Sequence, residues 1–262
     1  MIDWGQWHNE PIAADLIILA GWFYAILAGP LRDRLAPGER WPAGRVLRFL
    51  SGLVLLYVAV ASPLDRIGGL YLFSAHVGLQ LVILYPAAAL VLSGIPPWMI
   101  DPWVARSPFR LACLRLAVHP VVAGAVFVAT TTVWYVPRLF EGALQSEALH
   151  GLEHGLFLAA AVLFWWPLIS PSRALPPIGF GSRLIYLFCL EVALTAVFSY
   201  ILMADHPMYP TYVLAPRLIA GLDPLNDQVL GGFLLSGGSS LVLVGALGVT
   251  FLRWAKKSGA WT

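Results

Sequence analysis

The sequence predicts an all-α, polytopic membrane bundle with seven transmembrane helices, and three observations lead to it. Of 262 residues, 59% are hydrophobic and 11% are charged, whereas a soluble domain carries roughly a quarter charged residues. Seven apolar runs lie near the ~20 residues needed to cross a bilayer. Positive charge alternates from one connection to the next, as membrane topology requires.

The first run, near 12–28, follows MIDWGQWHNEP. That segment has no basic n-region and reads as a short stretch ahead of the span rather than a signal peptide. GPLRDRLAPGERWP separates it from the second run, near 44–61, and SPLDRIGG leads into the third, near 70–93. GIPPWMIDPW breaks the chain before the fourth run, near 118–136. The fifth run lies near 148–168, SPSRALPPIGFG follows it, and the sixth lies near 184–204. The longest connection, ADHPMYPTYVLAPRLIAGLDPLNDQ, precedes the seventh run, near 229–254. The breaks carry the Pro, Gly and Ser punctuation of turns. With no internal repeat, residues 1–262 read as one transmembrane domain.

The first, third and fifth connections and the carboxyl tail hold 13 of the 16 Lys and Arg residues: Arg32, Arg34, Arg40, Arg45, Arg48, Arg106, Arg110, Arg115, Arg173, Arg183, Arg253, Lys256 and Lys257. Arg66, Arg138 and Arg217 fall on the other side. This asymmetry predicts an amino terminus outside and a carboxyl terminus in the cytoplasm. A net charge of +2 offers no basic field for nucleic acid. Cys113 and Cys189 support neither a disulfide framework nor a zinc knuckle. The only lysines, Lys256 and Lys257, sit in the tail, so no span carries a retinal Schiff base. Trp4, Trp7, Trp98, Trp103, Trp165 and Trp166 fall near predicted interfaces and read as an aromatic belt.

On this topology five of the six histidines gather at the outer side. His8 precedes the first span, His76 lies in the third, His150 and His154 open the fifth, and His206 ends the sixth; His119 alone lies at the inner side. His150 and His154 are four apart and share one helical face. Either they are wetted interfacial residues, or they form a ligand pair with Glu147 or Glu153 as a supporting carboxylate. His76 and Gln80 repeat the spacing deeper in the membrane, as an interhelical hydrogen bond or as part of a site. Glu191 heads a polar line with Thr195 and Ser199. A neutral, hydrogen-bonded carboxyl is the simpler reading there, and a proton or cation relay the sharper one. Asp15, Asp205, Asp223, Asp227 and Gln228 lie at the same outer end, each readable alone as a loop charge or a cap. Met203 and Met208 are the only thioethers near the histidines, and imidazole with thioether points to copper.

Four stretches resemble one family. FSAHVGLQLVILYPAAALVLSGIPPW is similar to the third-span signature of the CtaG family of cytochrome c oxidase assembly proteins. LHGLEHGLFLAAAVLFWWPLI resembles its paired-histidine span, HPVVAGAVF its fourth-span start, and DPLNDQVLGGFLLSGG its entry to the last span. The resemblance implies a seven-helix protein of the bacterial cytoplasmic membrane that binds copper on its periplasmic side. It would deliver the metal to the oxidase catalytic subunit as a transfer protein rather than an enzyme. His76, His150 and His154 would be the metal residues, with Asp227 and Gln228 as matching outer-side residues. Gln80 stands where the family commonly has a second histidine: either fewer nitrogens hold the metal, or His206 or Met203 replaces the missing one, or this member has lost metal binding. The alternatives are an accessory subunit of a respiratory complex with structural histidines and a haem b electron-transfer protein. Membrane lipid is a partner in every reading.

Overall fold

The computed structural model describes residue 7 and residues 10–258, apart from the side chain of Lys257. His8 and Trp4 therefore lie outside the described residues. Those described form helices and connecting turns, with no strand among them. In order, these are α1 (Pro11–Ala28), α2 (Arg32–Leu35), α3 (Ala43–Ala61), α4 (Pro63–Leu70), α5 (Phe73–Val82) and α6 (Ala88–Gly94). There follow α7 (Pro97–Ala105), α8 (Pro108–Ala117), α9 (Pro120–Trp134), α10 (Pro137–Gln145) and α11 (Glu147–Ile169). The last are α12 (Phe180–Leu202), α13 (Pro210–Leu214), α14 (Pro224–Phe233) and α15 (Ser239–Lys257).

Proline sets many of the starts. Pro11, Pro63, Pro97, Pro108, Pro120, Pro137, Pro210 and Pro224 all sit in the first turn of a helix, where the missing N–H costs nothing. Inside a span proline acts differently. Between α5 and α6, residues Ile83–Ala87 form a π-helical turn that contains Pro86. A proline ring collides with the carbonyl four residues back, and the wider turn relieves that clash. A second π-turn, Leu234–Gly238, joins α14 to α15. The third and last spans are thus continuous rods with one wide turn each.

Six helical spans are long and apolar enough to cross a membrane, and a seventh requires joining α8 to α9 across a bend of 58°. Alone, the 15 residues of α9 reach about 22 Å, short of the ~30 Å hydrocarbon thickness. The expected fourth span, 118–136, begins at this bend. His119 is extended there because the residue before a proline is pushed out of the helical region.

The core forms around α11, which packs against α6, α9, α10 and the first π-turn. Phe127, Phe157 and Phe164 are wholly buried in it. By contrast, α1 turns Ile12, Leu16, Leu19, Trp22 and Phe23 outward, the apolar exterior expected of a membrane helix. Trp165 and Trp166 correct the aromatic-belt reading. They are 9% and 8% exposed, and their indole N–H groups donate to Leu84 O and Leu175 O at 3.1 and 3.3 Å. Near the far end of α6, a Cβ on Gly94 would meet Phe49 of α3 at 2.6 Å, so only glycine permits that crossing. Tyr24 of α1 donates to Gly94 O at 2.8 Å.

Candidate metal site

Three helices and one helix cap bring the polar side chains together at the end of the bundle where α1 and α11 begin. Ser146 caps α11 by accepting from Leu149 N at 3.4 Å. The first turns of that helix then point His150, Glu153 and His154 inward. His76 reaches the same space from α5, and Asp65 from α4. Glu10, the N-cap residue of α1, closes the site from the last side.

The position of His76 is fixed twice over. The α5 amino terminus has no cap from its own chain neighbours. Instead Asp227 of α14 accepts from Phe73 N at 2.7 Å and Ser74 N at 3.2 Å, and from the Ser74 hydroxyl. A carboxylate there satisfies orphan N–H groups and complements the helix dipole. On the other flank α4 lies so close that a Cβ on Gly68 would stand 2.8 Å from His76 Cα. Tyr212 of α13 donates to Gly68 O at 2.8 Å and holds that approach in place.

The imidazoles and carboxylates form two overlapping donor groups. Glu10, His150 and His154 make one; His76, His150 and Glu153 make the other. Within each, one donor atom per residue lies within 4.8 Å of the others. His150 Nδ1 is 2.9 Å from Glu10 Oε1, His154 Nδ1 is 3.4 Å from Glu10 Oε2, and His76 Nε2 is 3.8 Å from Glu153 Oε1. Asp65 Oδ1 lies 4.0 Å from His150 Nε2. The rings of His76 and His150 are near parallel at 5.7 Å between centroids.

Gln80 is a scaffold for this arrangement. Its amide nitrogen donates to Glu153 Oε1 at 2.7 Å and lies 2.8 Å from His76 Nε2, while its carbonyl accepts from the Tyr135 hydroxyl. Three atoms remain buried without a hydrogen-bond partner: Glu10 Oε1, His150 Nε2 and Glu153 Oε2. Glu10 Oε1 is nonetheless within ion-pair range of His150 Nδ1, at 2.9 Å. Unsatisfied buried donors and acceptors are costly, and each of these atoms belongs to a residue of one or both donor groups. The donor set therefore fits a metal ion.

The two carboxyls at the mouth are shifted in opposite directions. Burial alone would raise the Glu10 carboxyl, but contacts from His150 and His154 outweigh it and bring the pKa down to about 2. Burial raises Asp65 to about 6, against the pull of His154 and His150. A polar cleft of about 360 Å³, lined by Glu10, Asp65, Arg66, Glu147 and His150 among others, opens the site to the exterior.

The remaining candidates are placed elsewhere. Met203 is 78% exposed; His206 is exposed and belongs to neither donor group. Glu147 is exposed at the cleft mouth. Gln228 accepts from Met208 N at 2.6 Å and pins the long connection. Glu191 accepts from Ser240 and, at 3.4 Å, from Thr195, outside both donor groups. Sequence reasoning missed Glu10, Asp65 and Tyr135. The available signal was a lone carboxylate beside Pro11 and another in SPLDRIGG, both in connections on the His150 side.

A family model described as cytochrome c oxidase caa3 assembly factor (Caa3_CtaG) matches residues 22–257. The chain belongs to the Caa3_CtaG family. Every site residue except Glu10 falls inside the matched region. Among curated relatives, it is 24% identical over 266 residues to the uncharacterized protein Mb0105 of Mycobacterium bovis, covering 94% of this chain and 38% of that one. It is 23% identical over 275 residues to the uncharacterized protein ML1998 of Mycobacterium leprae, covering 96% and 40%. The chain thus spans about two-fifths of the length of these relatives. No solved structure matches it.

Proposed function

We propose that this Caa3_CtaG member holds a copper ion between α1, α5 and α11 and passes it to the catalytic subunit of cytochrome c oxidase. The observation that carries the proposal is that both donor groups use His150. A cation bound by Glu10, His150 and His154 has a second donor set, His76 and Glu153, on the same imidazole's flank. A carrier must hold its cargo yet release it, and stepwise ligand exchange does both. The work is binding and transfer rather than catalysis.

Copper is favoured by the donors. Imidazole nitrogen and carboxylate oxygen bind Cu2+ more tightly than the other divalent first-row ions. Met203 is largely exposed, and the two donor groups hold nitrogen and oxygen ligands. Asp65, Glu10 and Glu153 crowd the three imidazoles, an environment suited to a small cation rather than the flat macrocycle of haem. The arginine asymmetry supports a reading with this end of the bundle toward the periplasm. Ligand imidazoles must be unprotonated, so binding weakens as pH falls.

Metal analysis of the purified protein tests the reading. About one copper per chain is expected for the wild type, and none for His150→Ala/His154→Ala, with a Cu2+ spectrum of nitrogen and oxygen ligands. The oxidase made in that strain should be short of copper. Full copper content in that oxidase refutes delivery, and a Soret band in the pure protein points to haem instead.

A further inference from the structure

The opposite end of the bundle carries a second polar site. Arg45 and Arg48 on α3, Arg183 on α12 and Arg253 on α15 line one cleft of about 510 Å³. Its floor and walls include Trp165, Leu168 and Ile169 of α11 and Ser93 of α6. No carboxylate lines it, and none of the four arginines forms an ion pair among the described residues.

Their hydrogen bonds go to backbone carbonyls alone. Arg45 donates to Ile95 O at 2.6 Å, Arg48 to Gly44 O at 3.0 Å and Arg183 to Ile178 O at 2.8 Å. A guanidinium has five N–H donors, so most of this donor capacity is unused. Like charges are also pressed together: Arg48 and Arg173 act on Arg45, and Arg253 acts on Arg183. Four cations from three separate helices, Arg45 and Arg183 half-buried and Arg48 and Arg253 exposed, thus share one cleft without a counter-charge in its lining.

We propose that this cleft binds a phosphate-type anion, presented by the headgroup of an anionic phospholipid. Guanidinium forks match phosphate oxygens in bidentate geometry. Basic pockets between membrane helices at headgroup depth are suited to acidic lipids. The apolar wall of Leu168, Ile169 and Leu90 offers an acyl chain a path beside the charged rim. The inference needs neither the copper site nor its chemistry.

The test is native mass spectrometry of the full chain in detergent, titrated with phosphatidylglycerol or with zwitterionic phosphatidylcholine. Phosphatidylglycerol should bind about tenfold more tightly, and Arg48→Gln/Arg253→Gln should remove that preference. The charge-matched control Arg34→Gln/Arg115→Gln alters exposed arginines outside the cleft and should change it less than twofold. If the double variant fails to fold, Arg253→Gln alone carries the test, because Arg253 makes no hydrogen bond or ion pair that the fold would miss. Inorganic pyrophosphate distinguishes the source. Displacement of lipid only at millimolar pyrophosphate assigns the site to lipid, and micromolar pyrophosphate binding without lipid preference assigns it to a soluble phosphate. Equal binding of all three probes, or equal loss in the control, overturns the proposal.

Discussion

The two ends of the bundle solve opposite electrostatic problems with the same helices. At the start of α11, three imidazoles face three carboxylates, Glu10, Asp65 and Glu153, and leave buried acceptor atoms unsatisfied. At its far end, four guanidiniums share a cleft with no carboxylate in the lining. One end lacks a cation and the other lacks an anion. The difference teaches that a polar cluster at the end of an apolar bundle is informative through what it fails to pair, more than through how polar it is.

The largest expected effect breaks the first end at its shared ligand. His150→Ala removes a member of both donor groups and should weaken copper binding at least 100-fold. His76→Ala or His154→Ala each removes a member of one group and should weaken it about tenfold, the scale of losing one tuned contact. Copper titration of the three variants checks this order, and equal losses would mean that the groups do not act together.

Asp227→Ala comes next. It strips the cap from α5 without touching a donor group. Hydrogen bonds to a charged group contribute about 1.5–3 kcal/mol each, so the detergent-solubilised variant should lose several degrees of melting temperature. Copper affinity should fall as well, because His76 rides on α5. Gly68→Ala should cost about 1–3 kcal/mol by overpacking against the His76 backbone, with the same coupled loss of copper affinity.

Glu10→Gln should cost about 1–2 kcal/mol near neutral pH, with a defined pH dependence. The folded pKa of about 2 lies below the ordinary 4.5. The contribution of Glu10 is therefore fully present above pH 4.5 and is lost as pH falls toward 2. A wild-type minus variant melting curve should shrink across that window. The smallest effect is expected at the other end: Arg253→Gln should change stability by less than about 0.5 kcal/mol and leave copper binding unaltered.

Most of the helical frame was legible because hydropathy reports burial in lipid directly. The predicted runs near 12–28, 44–61 and 148–168 match α1, α3 and α11 to within one residue at either end. The bend at His119 was less visible, since Val118 to Val136 is apolar throughout and only Pro120 marks the break. Within the site, His150 and His154 were readable because they are one turn apart. Glu10 lies 140 residues from His150 and Asp65 lies 85 residues away, and no periodicity connects them. Gln80 looked like a lost ligand on the basis of residue type. Its contacts with Glu153 and Tyr135 depend on α9 and α11 standing beside it.

The π-turn at Ile83–Ala87 has a consequence for how this chain can change. In an α-helix each residue advances the face by about 100°, so a wide turn is a phase adjuster between two rigid segments. Removing one residue from it would straighten the span into a regular helix, yet leave either His76 or Gly94 rotated by roughly that angle. Gly94 could then no longer meet Phe49 while His76 met His150. The third span can therefore tolerate substitution in this turn more readily than any change in its length.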